Sequence, residues 1–578
     1  MSSPARIGAR PLLDREVSVR RAIVHALEDG GIDTVFGMPG GYTGVIYDAM
    51  YEQRDHLRVV LAREESLASV MGQAYGRLTG RPALVMGQAP FILAAAPGIL
   101  EARLSHTPLL VITDTSVEAR FAHHGGYQSG SGEHGSWDAL EAFRAISTMT
   151  TLARGGAQTV QAVQLALKHA LTGPGSATVI VPIDALRGRV GPESVPALYS
   201  TTEYLPTRPA AAPAEHIGEA RDVIDRSSRP VIVAGQGVNV SKAHTELLAL
   251  AEAIAAPIVT TAGGKGAVAE TAELALGVFG TYGNEAANGA VAEADVLVVV
   301  GSRLSPSDAA NENPALIDPR RQSIIQIDID PLVLSWIWPV ACPLLGDAAA
   351  TMSALRSALA DGARARLDRS ELLSLLDGYR ARQAPDPAPG DDPDVMPQQV
   401  IRALERSLPA GAFVCCDAGE NRIFMTHYFR TAAAGTFLQP SGVGCMGYAI
   451  PAAMAAKLVH PDRAAVAVCG DGGFAMTLNG LMTAIEEDLP IVVVVMNNRS
   501  LGWVRHDQTG RVFASEFDDF DLAAICRAIG CEGVRVTRAA ELEPAMEEAF
   551  ASGGTAVVEV LVSREESFRR VQSELVRH

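Results

Sequence analysis

Two side chains with hard oxygen atoms follow two strongly apolar runs of the sequence. Asp471 comes directly after AVAVCG, within the turn GDGG, and Asn498 comes directly after IVVVVMN. The intervening TLNGLMTAIEE is typical of a helix, so this segment predicts a βαβ unit whose parallel strands end at one edge of a sheet. The N–H groups of Gly472 and Gly473 favour phosphate there, and Mg²⁺ prefers oxygen ligands, several of them from phosphates. A plain βα turn would account for GDGG alone, but the combination predicts a magnesium-bound diphosphate at this edge.

The elements that must position these residues are short apolar strands alternating with helices along the whole chain. Among the predicted strands are TVFGM, PALVMG, PLLVITD, PVIVAG, DVLVVVG and AVAVCG. Short runs rich in Val and Ile between helices are typical of parallel sheets covered on both faces. Two stretches rich in Pro and polar residues, 190–216 and 382–397, are predicted linkers. The sequence therefore predicts an α/β fold of three doubly wound parallel-sheet domains, at residues 12–190, 210–365 and 395–570.

The composition excludes several classes of protein. The chain has 578 residues and a formal net charge of −18, which disfavours binding to nucleic acids and anionic membranes. The first residues, MSSPARIGARPLLDREVS, contain no apolar core of a signal peptide, and no apolar run is long enough to span a membrane. Seven cysteines without a CxxC pair are typical of buried reduced thiols, so we expect a cytoplasmic protein.

Several motifs together resemble one family, the thiamine diphosphate (ThDP) dependent enzymes, and within it the acetolactate synthase branch. GDG followed by NN resembles the ThDP motif, and the continuation NNRSLGWV resembles the N-N-x-x-L-G-x-V of that branch. VFGMPGG, GVGCMGYAIPAA and the central VIVAGQGV and VLVVVGSRL are also similar to its segments. The resemblance covers roughly residues 15 to 570 in order. It implies the three-domain ThDP fold, with a pyrimidine-binding, a central and a diphosphate-binding domain.

The resemblance implies roles for residues of the last domain. Asp471 and Asn498 would ligate Mg²⁺ through their side chains, and Ser500 through its main-chain carbonyl. Met446 would lie under the cofactor and bend it, and Asn421 stands where relatives often carry a phosphate-binding His. The full set of implied cofactor contacts is Gly472, Gly473, Met446, Asn421, Leu501 and Gly502.

The family also needs a glutamate of the first domain beside the aminopyrimidine ring. Glu64 and Glu65 compete for this role, and the family spacing to the Gly80 of LTG selects Glu65. The helix that follows, SLASVMGQAYGRL, has the small and apolar residues of a buried helix, so the carboxyl should be partly desolvated and its pKa raised. Since the metal ligands belong to the third domain, the resemblance implies a homodimer or homotetramer with the active site at the dimer interface.

The chain departs from the synthase pattern at several positions. A longer loop carries the adjacent His123 and His124, which resemble the His pair of pyruvate decarboxylase-like members, and Gln128 is the counterpart of a synthase Gln. These three are candidate catalytic residues, or else solvated loop residues. The usual G-P-G-A-x-N turn is replaced by GQAPFIL, and Asp507 stands where synthases commonly carry a Trp. The predicted substrate pocket is therefore reshaped.

The central domain leaves a second cofactor open. Arg303 of GSRLSPSD is retained from the family, but the F-D-D-R that follows in FAD-binding synthases is absent. Arg303 is a candidate for holding a substrate carboxylate or a flavin phosphate, or it is a surface residue. FAD stays undecided at this point.

The predicted function is decarboxylation of pyruvate or another 2-oxo acid, followed by carboligation of the remaining fragment to a second carbonyl compound. The nearest alternative keeps the same cofactor but releases an aldehyde. A dinucleotide-dependent oxidoreductase is a further alternative, although Val240 of VIVAGQGVNV stands where the last Gly of G-x-G-x-x-G is expected. A non-catalytic protein with this fold is disfavoured by the intact Glu65, Asp471 and Asn498.

Overall fold

Three parallel six-stranded sheets organise the chain. The computed structural model describes residues 8–116, 128–173, 175–206, 209–360, 368–383, 386, 394–508, 510–571 and 573–576. The chain forms two compact units, residues 1–208 with the first sheet and residues 209–578 with the other two. The predicted fold class, three parallel-sheet α/β domains, is confirmed. The boundaries 12–190, 210–365 and 395–570 stay a prediction.

The first unit holds a sheet of strand order β3-β2-β4-β5-β7-β6 and a small antiparallel pair, β1 with β8. Its strands are β1 (Val17–Ser18), β2 (Thr34–Gly37), β3 (Arg58–Leu61), β4 (Leu84–Gly87), β5 (Leu109–Thr115), β6 (Met149–Leu152), β7 (Ser176–Pro182) and β8 (Arg189–Val190). Its helices are α1 (Val19–Asp29), α2 (Gly44–Met50), α3 (Glu65–Thr79), α4 (Ala96–Leu104), α5 (Ala139–Ile146), α6 (Gly156–Thr172) and α7 (Ile183–Leu186). The central strands β4 and β5 are buried throughout, as continuous apolar runs predict.

The second sheet has the order β11-β10-β9-β12-β13-β14. Its strands are β9 (Pro230–Ala234), β10 (Ile258–Thr260), β11 (Ala275–Val278), β12 (Val296–Val300), β13 (Ser323–Asp328) and β14 (Cys342–Leu345). The helices around it are α8 (Ala214–Arg226), α9 (Gln236–Val240), α10 (His244–Ile254), α11 (Glu285–Glu293), α12 (Ala348–Ala360) and α13 (Arg369–Arg380). The first strand lies at the centre and later strands are added on both sides, which is the order of dinucleotide-binding folds.

The third sheet has the order β16-β15-β17-β18-β20-β19. Its strands are β15 (Phe413–Cys416), β16 (Phe437–Leu438), β17 (Ala465–Gly470), β18 (Val492–Asn497), β19 (Glu532–Val536) and β20 (Ala556–Leu561). Its helices are α14 (Pro397–Ser407), α15 (Glu420–Tyr428), α16 (Ala449–Val459), α17 (Asp471–Thr477), α18 (Gly480–Glu486), α19 (Gly502–Asp507), α20 (Leu522–Ile529) and α21 (Leu542–Ala551). Counted within its own sheet, each strand occupies the same place here as in the first sheet.

Local sequence explains where the helices begin and end. Asp138 and Asp521 cap the N-termini of α5 and α20. Their side chains accept the backbone N–H groups of Glu141 at 2.9 Å and Ala524 at 2.7 Å, respectively. Gly80 closes α3 with φ +70°, a left-handed conformation that favours glycine. In the described part of the chain, no helix is long and apolar enough to cross a membrane.

Candidate active site

The strand order of the third sheet reverses between β15 and β17, and ligands of open α/β sheets bind at such a switch point. Asp471 begins helix α17 directly after β17, and Asn498 follows the last residue of β18. Because β17 and β18 pair in parallel with Gly470 opposite Met496, both side chains lie at the carboxyl edge. The backbone N–H of Ser500 donates to the Asp471 carboxylate and to Asn498 Oδ1, the latter at 3.1 Å. The three predicted metal ligands therefore come together.

The Asp471 carboxyl carries an electrostatic cost. It is 8% exposed, and burial raises its pKa to about 7 in spite of hydrogen bonds from its own N–H and those of Gly472 and Ser500. The Ser500 hydroxyl next to it is buried and has no hydrogen-bond partner among the described residues. A divalent cation would stabilise the charged carboxylate, and one carboxylate, one amide oxygen and one carbonyl are suitable hard ligands for Mg²⁺.

The two glycines of the turn have different surroundings. A Cβ at Gly472 would meet three apolar side-chain ends, Met446 Cε at 3.1 Å, Leu501 Cδ2 at 3.3 Å and Phe517 Cε2 at 3.5 Å. A Cβ at Gly473 would instead meet the Asp417 carboxyl, with Cγ and Oδ1 both at 3.0 Å. The predicted contacts Met446 and Leu501 thus form an apolar wall beside the turn. Phe517, which is 42% exposed, belongs to the same wall and was not predicted from the sequence.

Asp417 organises the loops around this turn. It follows β15, is 1% exposed, and accepts backbone N–H groups of Ala418 at 2.8 Å, Gly447 at 2.9 Å and Ala449 at 3.1 Å. Burial raises its pKa to about 6. Since Gly447 follows Met446, the carboxylate fixes the loop that carries the methionine. Asp417 was not predicted from the sequence, although an Asp directly after the strand FVCC is a signal for a residue at this edge.

Asn421 lies in the crevice between β15 and β17. Its Nδ2 donates to the Asp417 carbonyl at 3.2 Å, and its Oδ1 is 3.7 Å from the position of a Cβ on Gly470. The side chain is therefore held beside the glycine turn. Leu501 is fixed by a hydrogen bond from its N–H to the Ser515 carbonyl at 2.8 Å, and Gly502 begins α19.

The corresponding edge of the first sheet carries Glu65. It is the first residue of α3 and is 9% exposed, while Glu64 is the partly exposed N-cap residue. Burial raises the pKa of Glu65, as its surroundings predict. Its Cγ lies 3.5 Å from the position of a Cβ on Gly87, at the end of β4. Tyr47, whose pKa is raised by burial and by the charge of Glu65, donates its hydroxyl to the Met86 carbonyl at 2.8 Å.

Two loops converge at this edge. The buried Asp114 of β5 accepts the N–H groups of Tyr42 at 2.6 Å, Thr43 at 3.1 Å and Ala89 at 3.0 Å. It therefore joins the GGYT loop after β2 to the GQAP loop after β4.

The predicted catalytic Gln128 lies close to the second of these loops. Gln88 Nε2 donates to Gln128 Oε1 at 2.7 Å, and the backbone of Gln128 is left-handed, with φ +57°. The other two candidates of this loop, His123 and His124, lie outside the described residues.

Arg303 lies in the second sheet's domain, directly after the turn that follows β12. Its charge acts on two carboxyls, Asp308 and Asp328; burial raises both pKa values, that of Asp328 to about 6, and Arg303 lowers them in turn. A Cβ at Gly235 would lie 2.2 Å from the Gly301 carbonyl oxygen, and one at Gly237 would lie 2.6 Å from Gly301 Cα. These glycines are therefore required by backbone packing between β9 and β12.

Comparison with known proteins decides the family. Residues 17–134, 217–355 and 417–560 match the thiamine pyrophosphate enzyme N-terminal TPP binding, central and C-terminal TPP binding domains. The chain belongs to the thiamine pyrophosphate enzyme family. The predicted ThDP cofactor and an enzymatic function are therefore confirmed at family level.

Curated relatives align over nearly the whole chain. The acetolactate synthase large subunit of Corynebacterium glutamicum is 31% identical, covering 95% of this chain and 87% of the relative. A probable acetolactate synthase large subunit of Methanocaldococcus jannaschii is 30% identical, covering 95% and 93%. The sulfoacetaldehyde acetyltransferase of Alcaligenes xylosoxydans is 28% identical, covering 95% and 94%.

Proposed function

We propose that the protein is a cytoplasmic, acetolactate synthase-like ThDP enzyme that decarboxylates pyruvate or another 2-oxo acid and joins the remaining fragment to a second carbonyl compound. The observation that carries the proposal is the convergence of Asp471, Asn498 and Ser500 at the switch point of the third sheet, beside the apolar wall that includes Met446. The acetolactate synthase relatives support carboligation. The seven cysteines all lie within the described residues and form no disulfide there, which suits a reducing compartment.

The metal site would bind Mg²⁺ through the Asp471 carboxylate, the Asn498 amide oxygen and the Ser500 carbonyl. Two features fit a site completed by a hydrated cation: the buried Asp471 carboxyl with its raised pKa, and the Ser500 hydroxyl, which has no hydrogen-bond partner in the described part of the chain. The diphosphate would lie against the N–H groups of Gly472 and Gly473, with Asn421 beside it. The cation would offset the cost of burying the Asp471 carboxylate and would neutralise part of the charge of the diphosphate.

The apolar wall would receive the rings of the cofactor. Met446 and Leu501 lie beside Gly472 and would exclude water from the rings when the cofactor is bound. Bound ThDP supplies the carbanion chemistry that removes CO₂ from a 2-oxo acid. Glu65 would hold a shared proton at the pyrimidine ring nitrogen, which its desolvated carboxyl suits. Gln128, paired with Gln88, would contact the substrate, and His123 and His124 would relay protons.

The active site would form between two copies of the chain, with Glu65 from one copy and Asp471 from the other, as the resemblance to ThDP-dependent enzymes implies. Mixing Glu65→Gln and Asp471→Asn proteins after reversible dissociation tests this directly. A hybrid dimer then holds one site with both substitutions and one with neither. We expect about a quarter of wild-type activity from random reassortment, while each variant alone is inactive. No recovery would contradict the shared site.

The reaction is tested with pyruvate, ThDP and Mg²⁺ by measuring CO₂, acetolactate and acetaldehyde. Acetolactate as the main product is the expected result, and acetaldehyde alone would favour a simple decarboxylase. A panel of other 2-oxo acids follows if pyruvate is not consumed. The oxidoreductase alternative is disfavoured, because Gly235 and Gly237 face the Gly301 backbone. The proposal does not include FAD, and Arg303 would act as a substrate-carboxylate contact.

A further inference from the structure

A largely buried acid–base pair lies directly behind the proposed cofactor turn. Glu420 is the first residue of α15 and immediately precedes Asn421. Its Oε1 is 2.6 Å from Nδ1 of His506 in α19, and the two side chains are only 5% and 11% exposed. The sequence motifs assign neither residue a role. An ion pair at this depth needs a reason, because desolvating two charges costs more than a surface position would.

The hydrogen bonds of His506 define its charge. Nδ1 faces the Glu420 carboxylate, and Nε2 lies 3.1 Å from the carbonyl oxygen of Arg564. Both partners are acceptors, whereas a neutral imidazole has only one N–H to donate. Arg505 Nη1 is 3.5 Å from Nε2, too far for a good hydrogen bond, and donates to the same carbonyl at 2.9 Å. His506 is therefore satisfied as an imidazolium, and the hydrogen bond to Glu420 raises its pKa.

The Glu420 carboxylate lies against the backbone of the turn. A Cβ at Gly502 would come within 2.0 Å of Glu420 Oε2, so only glycine leaves room for this oxygen. Oε2 is buried and has no hydrogen-bond partner among the described residues, while Oε1 also accepts the N–H of Phe568 at 3.2 Å. The carboxylate therefore packs against the first residue of α19, directly after Ser500 and Leu501, and moving it would leave unfilled space there.

The C-terminal segment closes the same cluster from the other side. The Phe568 ring stacks on Trp503, with centroids 4.5 Å apart and an interplanar angle of 8°. Arg564 Nε donates to the Asn498 carbonyl at 3.1 Å, and Arg569 Nη2 pairs with Asp507 at 2.6 Å. Helix α15, the turn before α19 and the C-terminal segment thus meet at one buried pair.

We propose that Glu420 and His506 are positioning residues for the cofactor site, forming an ion pair that holds the turn at Ser500–Gly502 against helix α15. This inference rests on the proposed binding sites for ThDP and Mg²⁺. Losing one partner leaves the other charge buried and unpaired, so the turn must shift to let water reach it. Substitutions behind the ligands of a metal site typically weaken metal binding by about 10- to 100-fold.

Calorimetric titration with ThDP and Mg²⁺ compares the wild type with Glu420→Gln and His506→Leu. We expect the Kd for the cofactor to rise about 10- to 100-fold in each variant, with a smaller change in kcat at saturating cofactor. The double variant Glu420→Gln/His506→Gln should bind the cofactor more tightly than either single variant, since two amide side chains can form a neutral hydrogen bond with each other. His427→Gln is the matched control, a partly buried histidine of the same helix α15 whose Nδ1 faces the Tyr282 carbonyl at 3.2 Å; it should leave the Kd unchanged.

A spectroscopic measurement on the wild type makes the inference independent of how the variants fold. In ¹⁵N-histidine-labelled protein, the His506 signal, assigned with His506→Gln, should show both ring nitrogens protonated at pH 7.5. A neutral ring would overturn the ion pair. Wild-type Kd values in both single variants would overturn the positioning role alone, whereas a wild type that binds no ThDP with Mg²⁺ would overturn the proposed function as well.

Discussion

The first and third sheets share one strand order but carry different chemistry at their carboxyl edges. In each, a buried aspartate accepts backbone N–H groups from neighbouring segments. Asp114 accepts three in the first sheet, and Asp417 in the third accepts those of Gly447, Tyr448 and Ala449 as well as that of the adjacent Ala418. Both aspartates have pKa values raised by burial. They build equivalent scaffolds, because a carboxylate can hold several loops at once.

The difference lies in what the scaffold presents. The third edge adds Asp471 beside the amide of Asn498 and the backbone of Ser500, a set of oxygens suited to a cation and a diphosphate. The first edge presents Glu65 among Tyr47 and Gly87, a single desolvated carboxyl suited to sharing a proton. One topology thus supports two functions, and the residues just beyond the strands decide which.

The largest effect should come from the first edge. Glu65→Gln keeps the shape of the side chain but removes the proton-sharing carboxylate, so turnover should fall by about 10²- to 10⁴-fold while ThDP binding stays within a few-fold. Steady-state kinetics and calorimetry measure the two quantities. Glu64→Gln is the matched control, since the neighbouring carboxyl is partly exposed and accepts the Ser66 hydroxyl. An equal loss of activity in both variants would contradict the assignment of the proton-sharing role to Glu65 rather than Glu64.

At the third edge, Asp471→Asn should weaken Mg²⁺-dependent ThDP binding by at least about 100-fold. The sign of its pH effect follows from the raised pKa. The folded apoprotein binds a proton at Asp471 that the unfolded chain has lost, so this carboxyl reduces stability as pH rises from its ordinary value of 3.8 to about 7. The variant should therefore have a higher Tm than the wild type at pH 8 without cofactor.

The same pKa predicts how the wild type binds its cofactor. Mg²⁺ must displace the proton of Asp471, so affinity should increase up to about pH 7 and then level off. Calorimetry in buffers of different ionisation enthalpy would measure the released proton. An affinity independent of pH between 5 and 8 would show that Asp471 is not a ligand.

A smaller effect separates the two glycines of the turn. Gly473→Ala should weaken cofactor binding by about 10-fold and lower the Tm, because Asp417 is fixed by its backbone hydrogen bonds and cannot yield. Gly472→Ala meets only flexible side-chain ends and should be milder. Thermal unfolding and ThDP titration of the two variants make the comparison. Equal losses would mean that the scaffold carboxylate is not rigid.

The sequence allowed much of the fold to be predicted, since buried parallel strands are continuous apolar runs. TVFGM, PLLVITD and IVVVVMN correspond to β2, β5 and β18. Strands such as β6 and β19 are harder to recognise, because their residues are only partly buried and their sequences, MTTL and EGVRV, lack such runs. Tertiary pairing rather than local pattern defines these elements.

The residues of the candidate site also divide into those that the sequence predicts and those that it does not. Asp471 and Asn498 were predictable because each directly follows an apolar strand. Asp417 follows the apolar strand β15 in the same way, so the same signal applies to it. Phe517 and the Glu420–His506 pair were not predictable, since their partners lie far away in the sequence and an ion pair between two helices leaves no local pattern.

The most direct test of the central claim is a crystal structure with ThDP and Mn²⁺, whose anomalous signal locates the metal. We expect one peak at coordination distance from the Asp471 carboxylate, Asn498 Oδ1 and the Ser500 carbonyl, with the diphosphate against Gly472. A fully loaded crystal with its metal peak at any other position would contradict it.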